Sequence, residues 1–281
     1  MPNPVFYTDI AKLWPIYSLF YLSLQWILPR LIRHCASDEN QSKWQWLHGK
    51  TRSGSKAADY VSYLLISGSI VIFCSLLALC KWSELQALPL DSRLYENIPE
   101  AQLLASVMLA YQIYNFAVCF VLPEECGKIE HKLHHATTGL LAYFVLYPYA
   151  HYYAVFFVGI AEITNVPLTV VDACRAFPEL RSMIPTVNTW FRTIFAVTFF
   201  LIRGLWWPYV SYQFWLQSIE LLRTGTAHRN SVVFIFLISN VGLTLLQFYW
   251  GYSLFGFVLA TFKTRKKKDG GEDQERSKKD M

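Results

Sequence analysis

Apolar runs long enough to cross a bilayer recur along this chain, and no other feature of the sequence restricts its fold as much. They lie at Leu13 to Leu28, Tyr60 to Cys80, Leu103 to Leu122, about Leu133 to Pro148, His151 to Val171, Val187 to Tyr209 and Val232 to Phe262. A backbone in hydrocarbon must satisfy its own hydrogen bonds, so each run predicts a helix. The reading is an all-α polytopic membrane protein with about seven transmembrane helices. With 54% hydrophobic and 17% aromatic residues among 281, the chain is too apolar for an ordinary soluble domain. No basic segment leads into a short apolar region and a small-residue cleavage site, so the first run is expected to insert and stay.

Charge sets the expected orientation. Arg30, Arg33, Lys43, Lys50, Arg52 and Lys56 crowd the first loop, and Lys263, Arg265, Lys266, Lys267 and Lys268 follow the last run. The positive-inside rule then places the N-terminus in the lumen and the C-terminus in the cytosol. The net charge of +5 reports this orientation and excludes a nucleic-acid partner as its explanation. From Thr264 onward the chain is too polar to bury a core and reads as a disordered cytosolic tail. It ends Lys278-Lys279-Asp280-Met281, which matches a dilysine signal for COPI retrieval to the endoplasmic reticulum. The sequon Asn40-Gln41-Ser42 falls in the cytosolic loop, where no glycan is added. Six cysteines without a C-x-x-C pair read as reduced thiols rather than a disulfide frame or a zinc site. Trp206-Trp207-Pro208 interrupts the sixth run, and the stretch to Leu222 is either its continuation or an interfacial helix.

Ionisable groups at membrane depth are costly and mark function by default. His131, His134 and His135 are spaced i, i+3, i+4 at the start of the fourth run, which stacks them on a helix. Glu162 and Asn165 are spaced i, i+3 on the fifth. If the two runs form a regular hairpin turning at Pro148, His134 and Glu162 lie at equal depth, as do His131 and Asn165. Fourteen residues from the turn is about 21 Å, toward the cytosolic side of a core about 30 Å thick. A carboxylate beside an imidazole suits a general base; the same groups, uncharged, would also hold two helices together. Arg203, inside the sixth run, either binds a carboxylate or phosphate headgroup or pairs with a protein carboxylate. Tyr111 and Asn115 add polar groups to the third run. The pattern His-x-x-His-His also occurs in di-iron boxes, but those need more histidines than the seven here, which include the scattered His34, His48, His151 and His228. A single zinc on His131, His134, His135 and Glu162 is geometrically conceivable, but no metal is expected.

A His-His pair opening one span, an acid 28 positions after His134 and a polar residue three further resembles the TLC-domain family, which includes the ceramide synthases. The resemblance covers about Ser55 to Lys263, leaving residues 1–54 as an extra helix and loop and 264–281 as the tail. It implies that the last six spans form a helical barrel around a cavity. In ceramide synthases the two histidines and two acids are catalytic, which carries over to His134, His135, Glu162 and, with the acid replaced, Asn165. The Glu-Ile-Thr-Asn-Val-Pro form is more similar to the branch outside the ceramide synthases, tied to membrane lipid composition. The resemblance implies an acyltransferase using acyl-CoA as co-substrate with no bound cofactor, with His134, His135 and Glu162 catalytic and Asn165, Arg203, Asn115, Tyr111 and His131 binding substrate. The competing class is a non-catalytic lipid-binding, sensing or trafficking protein. Membrane lipids, the COPI coat and a second copy of the chain are the partners expected.

Overall fold

The computed structural model describes residues 12–36 and 42–279, except for the side chains of 42, 43 and 261–279. The sequon at Asn40 and the end of the dilysine signal therefore lie outside the described residues, as do the tail side chains. Among the described residues nine helices carry the fold: α1 (Trp14–Ala36), α2 (Ala57–Leu85), α3 (Pro99–Val121), α4 (Ile129–Val145), α5 (His151–Phe157), α6 (Asn165–Ala176), α7 (Pro185–Thr198), α8 (Trp207–Thr224) and α9 (Asn230–Lys279). Short helical turns link several of them. Among the described residues there is no strand, only an isolated bridge between Lys50 and Lys56.

Every apolar run is helical, and among the described residues five stretches are long and apolar enough to cross a membrane: Ala57–Leu85, Pro99–Val121, His151–Ala176, Pro185–Thr224 and Asn230–Ala260. The protein is thus an all-α polytopic membrane protein. The other two runs fall short of that measure for visible reasons. α4 has 17 residues and begins with the histidine cluster. α1 has 23, but Pro29, Arg30 and Arg33 occupy its last turns.

α3 lies at the centre, because Ala101, Ala105 and Ala110 are small enough for neighbouring helices to close on it from several sides. Gln25 stitches α1 to two helices of this core: it donates to the carbonyl of Asp59 on α2 at 2.9 Å and accepts from the Tyr114 hydroxyl on α3 at 2.7 Å. Arg33 pairs with the Asp59 carboxylate at 3.2 Å. The loop between α1 and α2 folds back on the bundle, packing Trp46 at a tilt against Phe177 with ring centres 4.5 Å apart.

The α4–α5 turn is pinned by His151, which is fully buried. Its Nδ1 accepts from the Ile98 amide at 2.9 Å, so its Nε2 carries the proton and donates to the carbonyls of Val145 and Tyr147, both at 2.9 Å. Ala150 before it takes a left-handed conformation (φ 58°).

Two irregularities shape the interior. The stretch His151–Ala176 is not one regular helix: α5 stops at Phe157, the chain bends at Gly159, and a 3-10 segment, Ile160–Thr164, leads into α6. A Cβ at Gly159 would collide with that of Ala78 and come within 2.6 Å of the Val155 carbonyl, so the close approach to α2 needs glycine. This corrects the regular-hairpin geometry, because a 3-10 segment rises about 2.0 Å per residue rather than 1.5 Å and turns its side chains differently. The second is a π-helical segment, Phe199–Trp206, which joins α7 to α8. The stretch to Leu222 is therefore a continuation of the sixth run. Pro208 has no N–H for the carbonyl four residues back, and the wider π turn accommodates this without ending the helix.

Candidate functional site

Five residues of α4, His134, Thr138, Leu141, Ala142 and Val145, form one stripe along a cavity whose empty space, mouth included, is about 730 Å³. Eleven residues of helix give it a length of about 16 Å. α3 at Ala105, α5, the 3-10 segment, the π segment, α8 and α9 supply the other walls. One end is polar, with His134, Thr138, Glu162 and Arg203; most of the rest is hydrocarbon and aromatic ring, including Phe157, Phe214 and Phe236.

The three histidines do not share one role, since neighbouring positions on a helix point about 100° apart. His134 faces the cavity, packs edge-on against Trp250 of α9 with ring centres 5.5 Å apart, and leaves its Nδ1 without a partner. His131, one turn earlier, meets the same indole at 6.5 Å. His135 points instead to α3, where its Nδ1 lies 2.6 Å from Gln112 Oε1. An amide oxygen only accepts, so Nδ1 carries the proton and Nε2 the lone pair. The amide nitrogen of Gln112 donates to Met108 Sδ at 3.0 Å, which fits this orientation. Gly139 allows α4 to come this close, for a Cβ there would sit 3.3 Å from that of Gln112.

Glu162 and Arg203 form the other half of the polar end. Glu162 Oε2 accepts from Asn165 Nδ2 at 2.6 Å, and its Oε1 lies 3.7 Å from Arg203 Nη2. Each guanidinium nitrogen also bonds the protein: Nε to Thr164 Oγ1 at 2.7 Å, Nη1 to Gln247 Oε1 at 3.1 Å, and Nη2 to the Ala161 carbonyl at 3.1 Å. A charge pair this buried persists only when its remaining hydrogen-bonding positions are filled, and here Thr164, Gln247 and Asn165 fill them. Of the two readings of Arg203, the structure has it paired with a protein carboxylate.

The cavity thus brings together His134, Glu162 and Arg203, with Asn165 bonded behind Glu162. No hydrogen bond joins His134 to Glu162, and none joins His131 to Asn165. Tyr111 and Asn115 are buried on α3 but do not line the cavity, and both amide atoms of Asn115 lack a partner. Among the described residues, no group of three or more His, Cys, Asp or Glu side chains could hold a metal ion.

Two participants escaped sequence reasoning: Gln247 and Trp250 sit in an apolar run with no motif of their own, whereas Gln112 belongs to the polar stretch Tyr111-Gln112-Ile113-Tyr114-Asn115, expected to bond between helices, and Thr164 to the Glu-Ile-Thr-Asn-Val-Pro stretch. One signal was available: Asn240, Thr244 and Gln247 are spaced i, i+4, i+7, a polar stripe on an apolar helix. The stripe zips α9 to its neighbours, Trp215 Nε1 donating to Asn240 Oδ1 at 2.8 Å and Trp207 Nε1 to Thr244 Oγ1 at 3.0 Å.

An all-helical bundle around an apolar cavity with an imidazole and a buried ion pair at one end defines a polytopic membrane protein. Residues 56–255 match the family model of the TLC domain, well over half of the chain, and the chain belongs to the TLC-domain family. No curated protein and no solved structure matches it.

Proposed function

We propose that this protein acts in lipid metabolism in the endoplasmic reticulum membrane, holding a lipid acyl chain in the cavity and transferring it from acyl-CoA at His134. The supporting observation is the position of His134, an imidazole with an uncommitted Nδ1 at the polar end of a chain-length apolar cavity. Acyl-CoA is water-soluble and would enter at that end, which the positive-inside rule assigns to the cytosol. The imidazole takes the proton of an acceptor amine or hydroxyl as that group attacks the thioester carbonyl. A new carbon–nitrogen or carbon–oxygen bond forms, the carbon–sulfur bond breaks, and the coenzyme A thiolate leaves with the proton. In an alternative order, His134 carries the acyl group transiently. Gln112 holds the His135 ring beside it, and the Glu162–Arg203 pair supplies a fixed dipole at the reacting end. Retrieval through Lys278 and Lys279 would keep the protein in that membrane.

A second reading, a non-catalytic lipid holder or sensor, is favoured by one observation: Glu162 is already engaged by Asn165 and Arg203 and makes no bond to His134. Lipidomics of cells expressing wild type or His134→Ala at matched abundance separates the two. Acyl transfer predicts that His134→Ala loses the lipid change that wild type produces. If the variant reproduces every change, transfer through this residue is wrong and the lipid-holding reading stands.

A further inference from the structure

Away from the His134 end, Asn240 is a polar group set into the cavity wall, and it is only 5% exposed. It lies on the same face of α9 as Phe236 and Leu243, which line the same space. Its Oδ1 is taken by the indole N–H of Trp215 at 2.8 Å, and this bond fixes the orientation of the amide. The oxygen is turned to α8, and the Nδ2 donors, which no residue described here accepts, are left for the cavity. Donors facing hydrocarbon are costly unless something accepts from them.

The depth of this donor is set by the helix. Trp250, packed on His134, lies ten residues further along α9 (250 minus 240), which places Asn240 about 15 Å from the His134 level. The facing helix gives a shorter distance: Phe144, ten residues beyond His134 on α4, meets Phe236 with ring centres 6.2 Å apart, and Asn240 lies one turn back toward Trp250, about 9 Å from the His134 level. Over that range of about 9 to 15 Å an extended chain with its carbonyl at His134 would pass Asn240 near mid-chain, at roughly its eighth to thirteenth carbon.

We infer that the cavity is built for a hydrocarbon chain carrying an oxygen acceptor near mid-chain, a hydroxyl- or oxo-substituted acyl group, and that Asn240 is the residue that selects it. The inference rests on the acyl-chain reading of the cavity proposed above. An apolar side chain at this position would suit an unsubstituted chain better, whereas an amide pre-oriented by Trp215 discriminates by the bond it makes or leaves unmade.

The test is equilibrium binding of stearoyl-CoA, 12-hydroxystearoyl-CoA and 2-hydroxystearoyl-CoA to the full-length protein in lipid nanodiscs. Wild type should hold the 12-hydroxy chain about tenfold tighter than the unsubstituted one, a single well-made hydrogen bond. The 2-hydroxy chain, with its oxygen at the wrong depth, should bind like stearoyl-CoA. Asn240→Leu should lose the preference, binding the 12-hydroxy chain no tighter than stearoyl-CoA; Trp215→Phe, which frees the amide to turn over, should weaken the preference. Equal binding of all three chains to wild type means that water satisfies Asn240 and overturns the inference, as does a preference that survives Asn240→Leu. If Asn240→Leu fails to fold, the hydroxyl-position series on wild type decides alone. If folded wild type binds none of the three, the acyl-chain reading falls and this inference with it.

Discussion

Arg203 and Glu162 depend on each other more than on anything a ligand could supply. Arg203→Leu leaves Glu162 buried without its cation, and a loss of about 3–5 kcal/mol of stability is expected. Arg203→Leu combined with Glu162→Leu removes both charges and should recover much of it. Thermal unfolding in detergent checks this, and equal losses in the single and double variants would show that the two are not coupled. Gln112→Leu is a smaller lesion: the His135 Nδ1–H loses its acceptor, at about 1–3 kcal/mol in the same assay. His134, His135, Glu162, Asn165 and Arg203 were legible in the sequence because a polar or ionisable group inside an apolar run stands out. Partners on the same helix or of opposite charge could be anticipated, but not which side chain on another helix each would meet. Which of two adjacent histidines reaches the cavity depends on how α4 is rotated against α3, and Gly139 and Gln112 settle that through a contact far apart in sequence.

The helices themselves follow from apolar run length, but their irregular joints do not. Gly159→Ala forces a methyl group into the contact with Ala78, and overpacking of this kind costs about 1–3 kcal/mol. Because the 3-10 segment that carries Glu162 begins just after it, the same variant should also weaken lipid binding more than a comparable loss of stability elsewhere. Measured melting temperature and ligand affinity together test this. Pro208 shows the opposite case. Its sequence position marks a disturbance in the helix, yet only the neighbouring turns decide between a break and a π segment.

At the scale of the molecule, three connections meet at one end of the bundle, outside the spanning segments. His228, before α9, packs at a tilt against Tyr149 with ring centres 4.8 Å apart, and Tyr95 Oη lies 3.1 Å from its Nδ1 while accepting from its backbone amide at 3.2 Å. Burial first, and the charge of Arg229 second, push the His228 pKa below its usual value. A lowered histidine pKa means that the folded state prefers the neutral ring. Its contribution is therefore fully present above about pH 6.5 and lost as pH falls through the folded-state value. Melting temperature should decline on mild acidification, and His228→Gln should flatten that part of the profile. An unchanged slope in the variant would assign the decline to other groups.

The sequence by itself determined that the chain is a helical membrane protein, since runs of that length and apolarity have no other way to satisfy their backbone in lipid. It also placed a His and Glu cluster within those runs and gave the pattern by which the family is recognised. The tertiary structure decided that His134 alone of the pair meets the cavity, that Arg203 is bound by Glu162, Thr164 and Gln247, and that Asn240 faces the apolar half. Those outcomes depend on helix rotation, on the bend at Gly159 and on the π segment. Each is set by packing between residues distant in sequence, which the spacing along one helix does not encode.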